Sequence, residues 1–138
     1  MRPQVRARLE AGFAVPAPAY VEALAMRGPS LERFCATSLA DVDCLVLPVM
    51  PMRTPSIAET DVGGGPGMGK TIGDITRYLR GINYLGVPSL ALPCGSDSRG
   101  MPIGMQLVGR PWSEKTLLCA GHAFQRERDF HRRGPVLA

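Results

Sequence analysis

The sequence has no long apolar stretch. The apolar run from Cys44 to Met52 has nine residues, whereas a helix that crosses a membrane needs about 20. The N-terminal segment is rich in arginine, as targeting peptides are, but the stretch that follows contains Pro16, Pro18 and Glu22, which a secretory signal does not favour. We therefore expect no membrane partner and a cytoplasmic location.

Lysine and histidine are both scarce. The chain has 16 basic and 12 acidic residues and a formal net charge of +4, but Lys70 and Lys115 are its only lysines. Half of the arginines lie near the two chain ends, interleaved with Glu10, Glu127 and Asp129. A nucleic-acid surface would gather its cations on one face or in one run. The charge pattern therefore predicts no nucleic-acid partner.

Cysteine spacing excludes the common zinc patterns. The four cysteines, at positions 35, 44, 94 and 119, include no C-x2-C pair, and there are only two histidines. We expect free thiols in a reducing compartment, no metal and no cofactor. Cys94 precedes Gly95-Ser96 at a predicted strand end, where a nucleophile could be exposed. No base is adjacent in sequence, so a buried thiol is the favoured interpretation.

Glycine and proline divide the chain into a helical first third, a punctuated middle and a helical end. The order helix, strand, helix, strand, strand, helix predicts the α/β class. A bend or break is expected at Gly28-Pro29, and residues 49–70 are predicted to form a long glycine-rich loop. The pattern predicts helices over 3–12, from 17, over 72–82 and over 113–128, and strands over 44–47, 89–93 and 103–108.

The apolar pattern also predicts which residues are buried. Strands 44–47 and 89–93 are apolar at nearly every position, which is typical of interior strands with both faces covered. In the last helix, Leu117, Leu118 and Phe124 are expected to face the core. Gly104 within a strand indicates a close backbone approach, and Gln106 in an apolar strand must find buried hydrogen-bond partners.

One segment matches the phosphate-binding pattern G-x4-G-K-[ST], with Gly64, Gly69, Lys70 and Thr71 at its defining positions. Such a loop must follow a buried strand directly and open a helix. A helix is predicted afterwards, but the preceding residues have no strand character. A nucleotide-binding module is therefore an alternative hypothesis, and a glycine-rich loop without that function is favoured.

Four motifs occur in register along the chain: Asp43–Pro51, Asn83–Gly95, Gly100–Gly109 and Glu114 with Leu117-Leu118. Together they resemble the C-terminal portion of amidase signature family enzymes, over about Arg6 to Pro135. The resemblance implies an α/β fold with part of a mixed β-sheet flanked by helices, and residues 1–138 as a single incomplete domain.

The resemblance implies hydrolysis of amide C–N bonds, which family members perform with a Ser–cis-Ser–Lys triad in their N-terminal and central part. The seven serines of this chain include no adjacent pair, so we expect no catalytic residue here and no activity of the chain alone. A small amide substrate would be bound only if the triad-bearing part is supplied. Strand edges left open would favour self-association.

An A-subunit-like fragment of a tRNA-dependent amidotransferase is a further alternative within the family. The members that use glutamine tend to carry an acid seven residues before the asparagine that corresponds to Asn83. Thr76 occupies that position here. The resemblance therefore favours a general amidase over that subgroup.

Overall fold

The computed structural model describes residues 3–61 and 67–134. Helices dominate the N-terminal third, one strand follows them, and the other two strands and the longest helix lie in the C-terminal half. The helices are α1 (Pro3–Phe13), α2 (Ala17–Ala25), α3 (Arg27–Thr37), α4 (Ile57–Thr60), α5 (Gly67–Ile75), α6 (Arg77–Leu85) and α7 (Glu114–Glu127), and the strands are β1 (Cys44–Pro48), β2 (Ser89–Ser96) and β3 (Pro102–Gly109). A 3-10 turn, Phe130–Arg132, follows α7. Every helix in the described ranges is too short or too polar to cross a membrane.

The three strands form one antiparallel sheet in the order β1-β3-β2. This arrangement confirms the α/β class but corrects the positions of the predicted strands. The strand predicted over 103–108, β3, is the central one, whereas β1 and β2, both predicted as interior strands, lie at the two edges, and Val46 of β1 is 64% exposed. Since an interior strand and an edge strand can have the same local sequence, the apolar run over 44–47 did not determine which neighbours it would have.

The core consists of two clusters, one on each face of the sheet. On one face Ile82, Val87 and Val108 pack with side chains of α3 and α6. On the other, Leu117 of α7 packs against Leu92 and Leu107, with Phe124 partly buried beside them. The prediction was wrong for Leu118, which is 60% exposed. Successive helical residues are about 100° apart, so Leu117 and Leu118 do not share a face.

Three predicted segments differ in their boundaries. The bend predicted at Gly28-Pro29 falls instead at Met26, between α2 and α3, and Pro29 lies in the first turn of α3, where its missing N–H is not needed. The helix predicted from Ile72 begins at Gly67 and is divided at Thr76, whose hydroxyl donates to the Ile72 carbonyl at 2.7 Å. The predicted loop contains α4, which begins with a Ser56–Glu59 capping box.

Arg110 joins the end of β3 to the end of α3. Its guanidinium donates to the carbonyl oxygens of Cys35, at 3.3 Å, and Leu39. These carbonyls lie at the C-terminal end of the helix, where backbone acceptors lack helical partners and a cation is favoured. The contact holds together segments more than 70 residues apart in sequence.

We expect Arg110→Ala to lower the free energy of unfolding by about 1–3 kcal/mol, because it leaves partly buried carbonyl oxygens without donors. Arg110→Lys keeps the charge but not the fork that reaches both oxygens, so it should recover only part of the loss. Urea denaturation of the three proteins tests this. Equal stability of the alanine variant and the wild type would contradict it.

Candidate functional site

An open cleft of about 360 Å³ lies beside the sheet, between the segment that follows β1 and the adjoining parts of β2 and β3. Its walls are mostly apolar. The side chains come from three separate parts of the sequence, which the β2–β3 hairpin and the chain exit from β1 bring together. The lining includes Val49, Met50, Met52, Leu92, Pro93 and Ile103.

Gly104 sets how closely the segment after β1 approaches β3. The Val49 amide donates to the Gly104 carbonyl at 3.0 Å. A Cβ at Gly104 would lie 3.2 Å from Val49 Cγ2, closer than most side-chain contacts. The expectation that this glycine marks a close backbone approach is confirmed, and the approach forms one wall of the cleft.

Gln106, in β3, forms hydrogen bonds to both neighbouring strands close to the cleft. It is 1% exposed. Ser89 Oγ in β2 donates to Gln106 Oε1 at 3.0 Å, and Gln106 Nε2 donates to the Pro48 carbonyl in β1 at 3.2 Å. The predicted buried partners are therefore present. A buried amide side chain is costly to leave without hydrogen bonds. Gln106 therefore fixes the register of β3 against its two neighbouring strands at the point where β1 ends and the cleft begins.

The turn between β2 and β3 anchors the outer wall of the cleft. Asp97 Oδ1 accepts from the backbone N–H groups of Arg99 and Met101 at 2.8 and 3.0 Å. Arg99 bonds Asp97 Oδ2 and also donates through Nη2 to the Thr54 carbonyl at 2.5 Å. Thr54 Oγ1 donates to the Pro102 carbonyl at 3.3 Å. The turn thus holds residues 49–54 against the hairpin.

The hydrogen bond from Arg99 lowers the pKa of the Asp97 carboxyl below its ordinary value, and the N–H groups of Met101 and Arg99 act in the same direction. The charged carboxylate is favoured in the folded turn, so it stabilises the folded state. This stabilisation is fully present when the pH is above the ordinary pKa of aspartate, and it is lost as the pH falls through the lowered pKa of Asp97.

We expect an NMR titration of Asp97 to give a lowered pKa, and we expect Arg99→Ala to raise that pKa. An unchanged titration in Arg99→Ala would contradict the assignment.

The polar side chains that line the cleft already have partners in the protein. Arg53 Nη2 lies 3.5 Å from the Glu59 carboxylate, and Thr54 Oγ1 is bonded to Pro102. Only Nη2 of the exposed Arg53 takes part in this contact, so its other N–H groups can still meet a carboxylate. The lining is mostly apolar and includes no acidic side chain among the described residues, so the cleft suits an apolar group and offers nothing to an ammonium group.

The described residues of the phosphate-loop pattern do not line this cleft. Gly64 lies outside the described residues, and Gly69, Lys70 and Thr71 are within α5. Lys70 Nζ is 2.9 Å from Asp74 Oδ2, one turn along the same helix. The described residues before this segment include the short helix α4 and no strand that leads into it. The contacts that a phosphate loop requires are therefore not found in the described part.

The thiol and imidazole groups are also dispersed. Cys94 is free and partly buried, and its Sγ is 3.5 Å from the Ile103 carbonyl. His122 lies on α7 and His131 in the 3-10 turn, and both are exposed. Within residues 3–61 and 67–134 no three His, Cys, Asp or Glu side chains are grouped so as to hold a metal ion.

Sequence reasoning missed the cleft, although it identified one of the residues that form it. Gly104 indicated a close approach but not its partner, Val49. Met50, Met52 and Ile103 resemble ordinary core residues in sequence. Only the pairing of β1 with β3 places them beside a common opening.

Known proteins resemble this chain in sequence and in fold. A family model described as Amidase matches residues 1–118. The A subunit of the glutamyl-tRNA(Gln) amidotransferase of Moorella thermoacetica is 36% identical over 118 residues, which are 86% of this chain and 23% of that protein. Fatty acid amide hydrolase of Medicago truncatula is 36% identical over 95 residues, which are 69% of this chain and 16% of that protein.

A solved amidase crystal structure superposes with a TM-score of 0.74 and 35% sequence identity, over 92% of this chain and 29% of that one. The chain thus spans less than a third of the length of each of these three proteins.

Proposed function

The chain belongs to the amidase signature family, and from this premise we propose that it forms the C-terminal part of an enzyme that hydrolyses amide C–N bonds. The observation that carries the proposal is the family match over residues 1–118. The apolar cleft beside β2 and β3 supports it, since the cleft offers a place for the non-reacting part of a small amide substrate.

The catalytic triad would come from a part of the enzyme outside this sequence. In the family's mechanism a serine, activated through a second serine and a lysine, gives up its proton and attacks the amide carbonyl; the C–N bond breaks, ammonia or an amine leaves with that proton, and water then hydrolyses the acyl-enzyme. This chain has no adjacent serines, and Lys70 pairs with Asp74 on its own helix. We propose that it contributes no catalytic residue and is inactive alone.

We propose that the cleft accepts an apolar portion of the substrate. Its walls are formed mostly by apolar side chains such as Val49, Met52 and Ile103. Burial of an aliphatic or aromatic group would contribute about 25 cal/mol per Å² of apolar surface. An amide with such a group would therefore be preferred over an amino-acid amide.

A chimera tests the proposal. In it, this chain replaces the matching 29% of the solved amidase, which supplies the triad. We expect ammonia release from benzamide by the chimera and a higher kcat/KM for benzamide than for glutamine. A folded chimera without amide hydrolysis would contradict the proposal.

A second candidate is the role of an amidotransferase A subunit, favoured by the similarity to the Moorella thermoacetica protein. A glutamine-using site must bind an ammonium and a carboxylate group; Arg53 could meet the carboxylate, but the described lining of the cleft has no acidic side chain for the ammonium group. If the same chimera hydrolysed glutamine in preference to benzamide, this second role would replace the first.

Three narrower expectations remain proposals. The free thiols of Cys35, Cys44, Cys94 and Cys119 support a reducing, cytoplasmic setting. The uncovered edge of β1 supports self-association of the isolated chain. Size-exclusion chromatography over a range of protein concentrations measures this self-association.

The nucleotide-binding alternative is tested by equilibrium binding of ATP with magnesium to the wild type and to Lys70→Ala.

A further inference from the structure

Arg53 is the only charged side chain in the described lining of the cleft. The other side chains of that lining are apolar except for Thr54. The side chain of Arg53 is 66% exposed, and an arginine can lay its aliphatic stem along an apolar wall while its charged end stays in water. A guanidinium placed beside an apolar opening can bind the anionic end of a ligand whose apolar part lies inside.

The backbone of Arg53 is positioned through the next residue. The Thr54 carbonyl accepts from Arg99 Nη2 at 2.5 Å, and Thr54 Oγ1 donates to the Pro102 carbonyl at 3.3 Å. These two contacts hold the segment against the β2–β3 hairpin, so that only the side chain of Arg53 is left to turn. A group on an anchored backbone loses less conformational freedom when a ligand binds.

The contact between Arg53 and Glu59 is too long for a strong ion pair. Arg53 Nη2 lies 3.5 Å from Glu59 Oε1, whereas hydrogen bonds between such charged groups are about 2.7–2.9 Å long. Glu59 is held elsewhere, because its Oε2 accepts from the Ser56 N–H at 2.6 Å in the capping box of α4. That backbone hydrogen bond is the main cause of the lowered pKa of the Glu59 carboxyl, and the charge of Arg53 contributes less. Arg53 therefore keeps N–H groups with which it can donate to a ligand.

We infer that Arg53 selects amide substrates whose apolar part carries a carboxylate at the end remote from the amide. The inference rests on the proposed function and names its substrate class, the half-amides of apolar dicarboxylic acids. The apolar part would lie against Met52 and Ile103, and the carboxylate would accept hydrogen bonds from the planar fork of Arg53. Water replaces the nitrogen at the amide carbonyl, so ammonia leaves and the product is the dicarboxylate.

Kinetics of the chimera with the solved amidase test this selectivity. Terephthalamate is benzamide with a carboxylate opposite the amide, and isophthalamate carries the carboxylate one ring position nearer. We expect at least one of them to have a KM about fivefold to tenfold below that of benzamide, the size expected for a charge-assisted contact that stays partly exposed. Arg53→Gln should remove this difference and leave kcat and the KM for benzamide unchanged, whereas a structural defect would alter the kinetics of all three substrates.

Arg6→Gln is the matched control. Arg6 is also an exposed arginine paired with a glutamate, with 69% of its side chain exposed, but it does not line the cleft. Its substitution should leave every KM unchanged. Arg53→Lys keeps the charge without the planar fork and should retain part of the preference. Equal KM values for the three substrates, or a preference that survives Arg53→Gln, would overturn the inference.

Ligand binding to the isolated chain gives a measurement that needs no catalysis. Met50 and Met52 line the cleft, so the NMR signals of their isotope-labelled methyl groups report what enters it. We expect benzoate to shift these signals with an affinity about fivefold higher than that of benzamide, and we expect Arg53→Gln to abolish the difference. Equal affinities of the wild type for the two compounds would contradict the inference.

The two experiments separate this inference from the proposed function. If the isolated chain prefers benzoate through Arg53 but the chimera hydrolyses no amide, the carboxylate site stands and the amidase function is contradicted. If the chimera hydrolyses benzamide, terephthalamate and isophthalamate with equal KM values, the amidase function stands and the selectivity of Arg53 is wrong.

Discussion

Replacement of Leu117 by alanine is expected to lower the free energy of unfolding by about 2–5 kcal/mol. Leu117 is 2% exposed and joins α7 to Leu92 and Leu107 on one face of the sheet. Loss of its branched end removes apolar burial and leaves a cavity that the three-stranded sheet and a single covering helix can close only in part. Urea denaturation followed by far-UV circular dichroism measures the change.

The adjacent leucine provides the control. Leu118 is also a leucine of α7, but it is 60% exposed. Leu118→Ala should change the free energy of unfolding by no more than about 0.5 kcal/mol. Equal losses from the two substitutions would show that α7 does not pack as described.

Gly104→Val is expected to lower kcat/KM of the chimera for benzamide by about 100-fold. A Cβ at Gly104 would lie 3.2 Å from Val49 Cγ2, and the two further methyl groups of valine would push residues 49–54 away from the hairpin. Because these residues line the cleft, a bound substrate would shift relative to the triad. A displacement of about 1 Å can have an effect of this size.

Gly95→Ala is the matched control, since a Cβ at Gly95 meets no atom within 4 Å. It should leave kcat/KM within about twofold of the parent chimera. An unchanged rate for Gly104→Val in a folded chimera would remove the cleft from the substrate-binding site.

Local patterns predicted much of the fold because the forces behind them act over a few residues. The apolar spacing predicted Leu117 in the core, and a buried amide in an apolar strand required the partners that Gln106 has. The α/β class followed from the order of such segments. These inferences need only the helix and strand periods and the cost of an unpaired buried polar group.

Features that depend on distant residues could not be predicted in this way. The edge position of β1 is set by its pairing with β3, whose residues come much later in the chain. The cleft wall depends on a hydrogen bond from Arg99 to Thr54, 45 residues apart. Trp112 resembles a core residue in sequence, and only the backbone conformation of its turn directs it to solvent.

The most direct test of the account is ammonia release from benzamide, measured side by side for the isolated chain and the chimera. We predict release by the chimera and none by the isolated chain at equal concentration. Hydrolysis by the isolated chain that is abolished by Cys94→Ala or Lys70→Ala would contradict the account, because it would place a nucleophile or a base within this sequence.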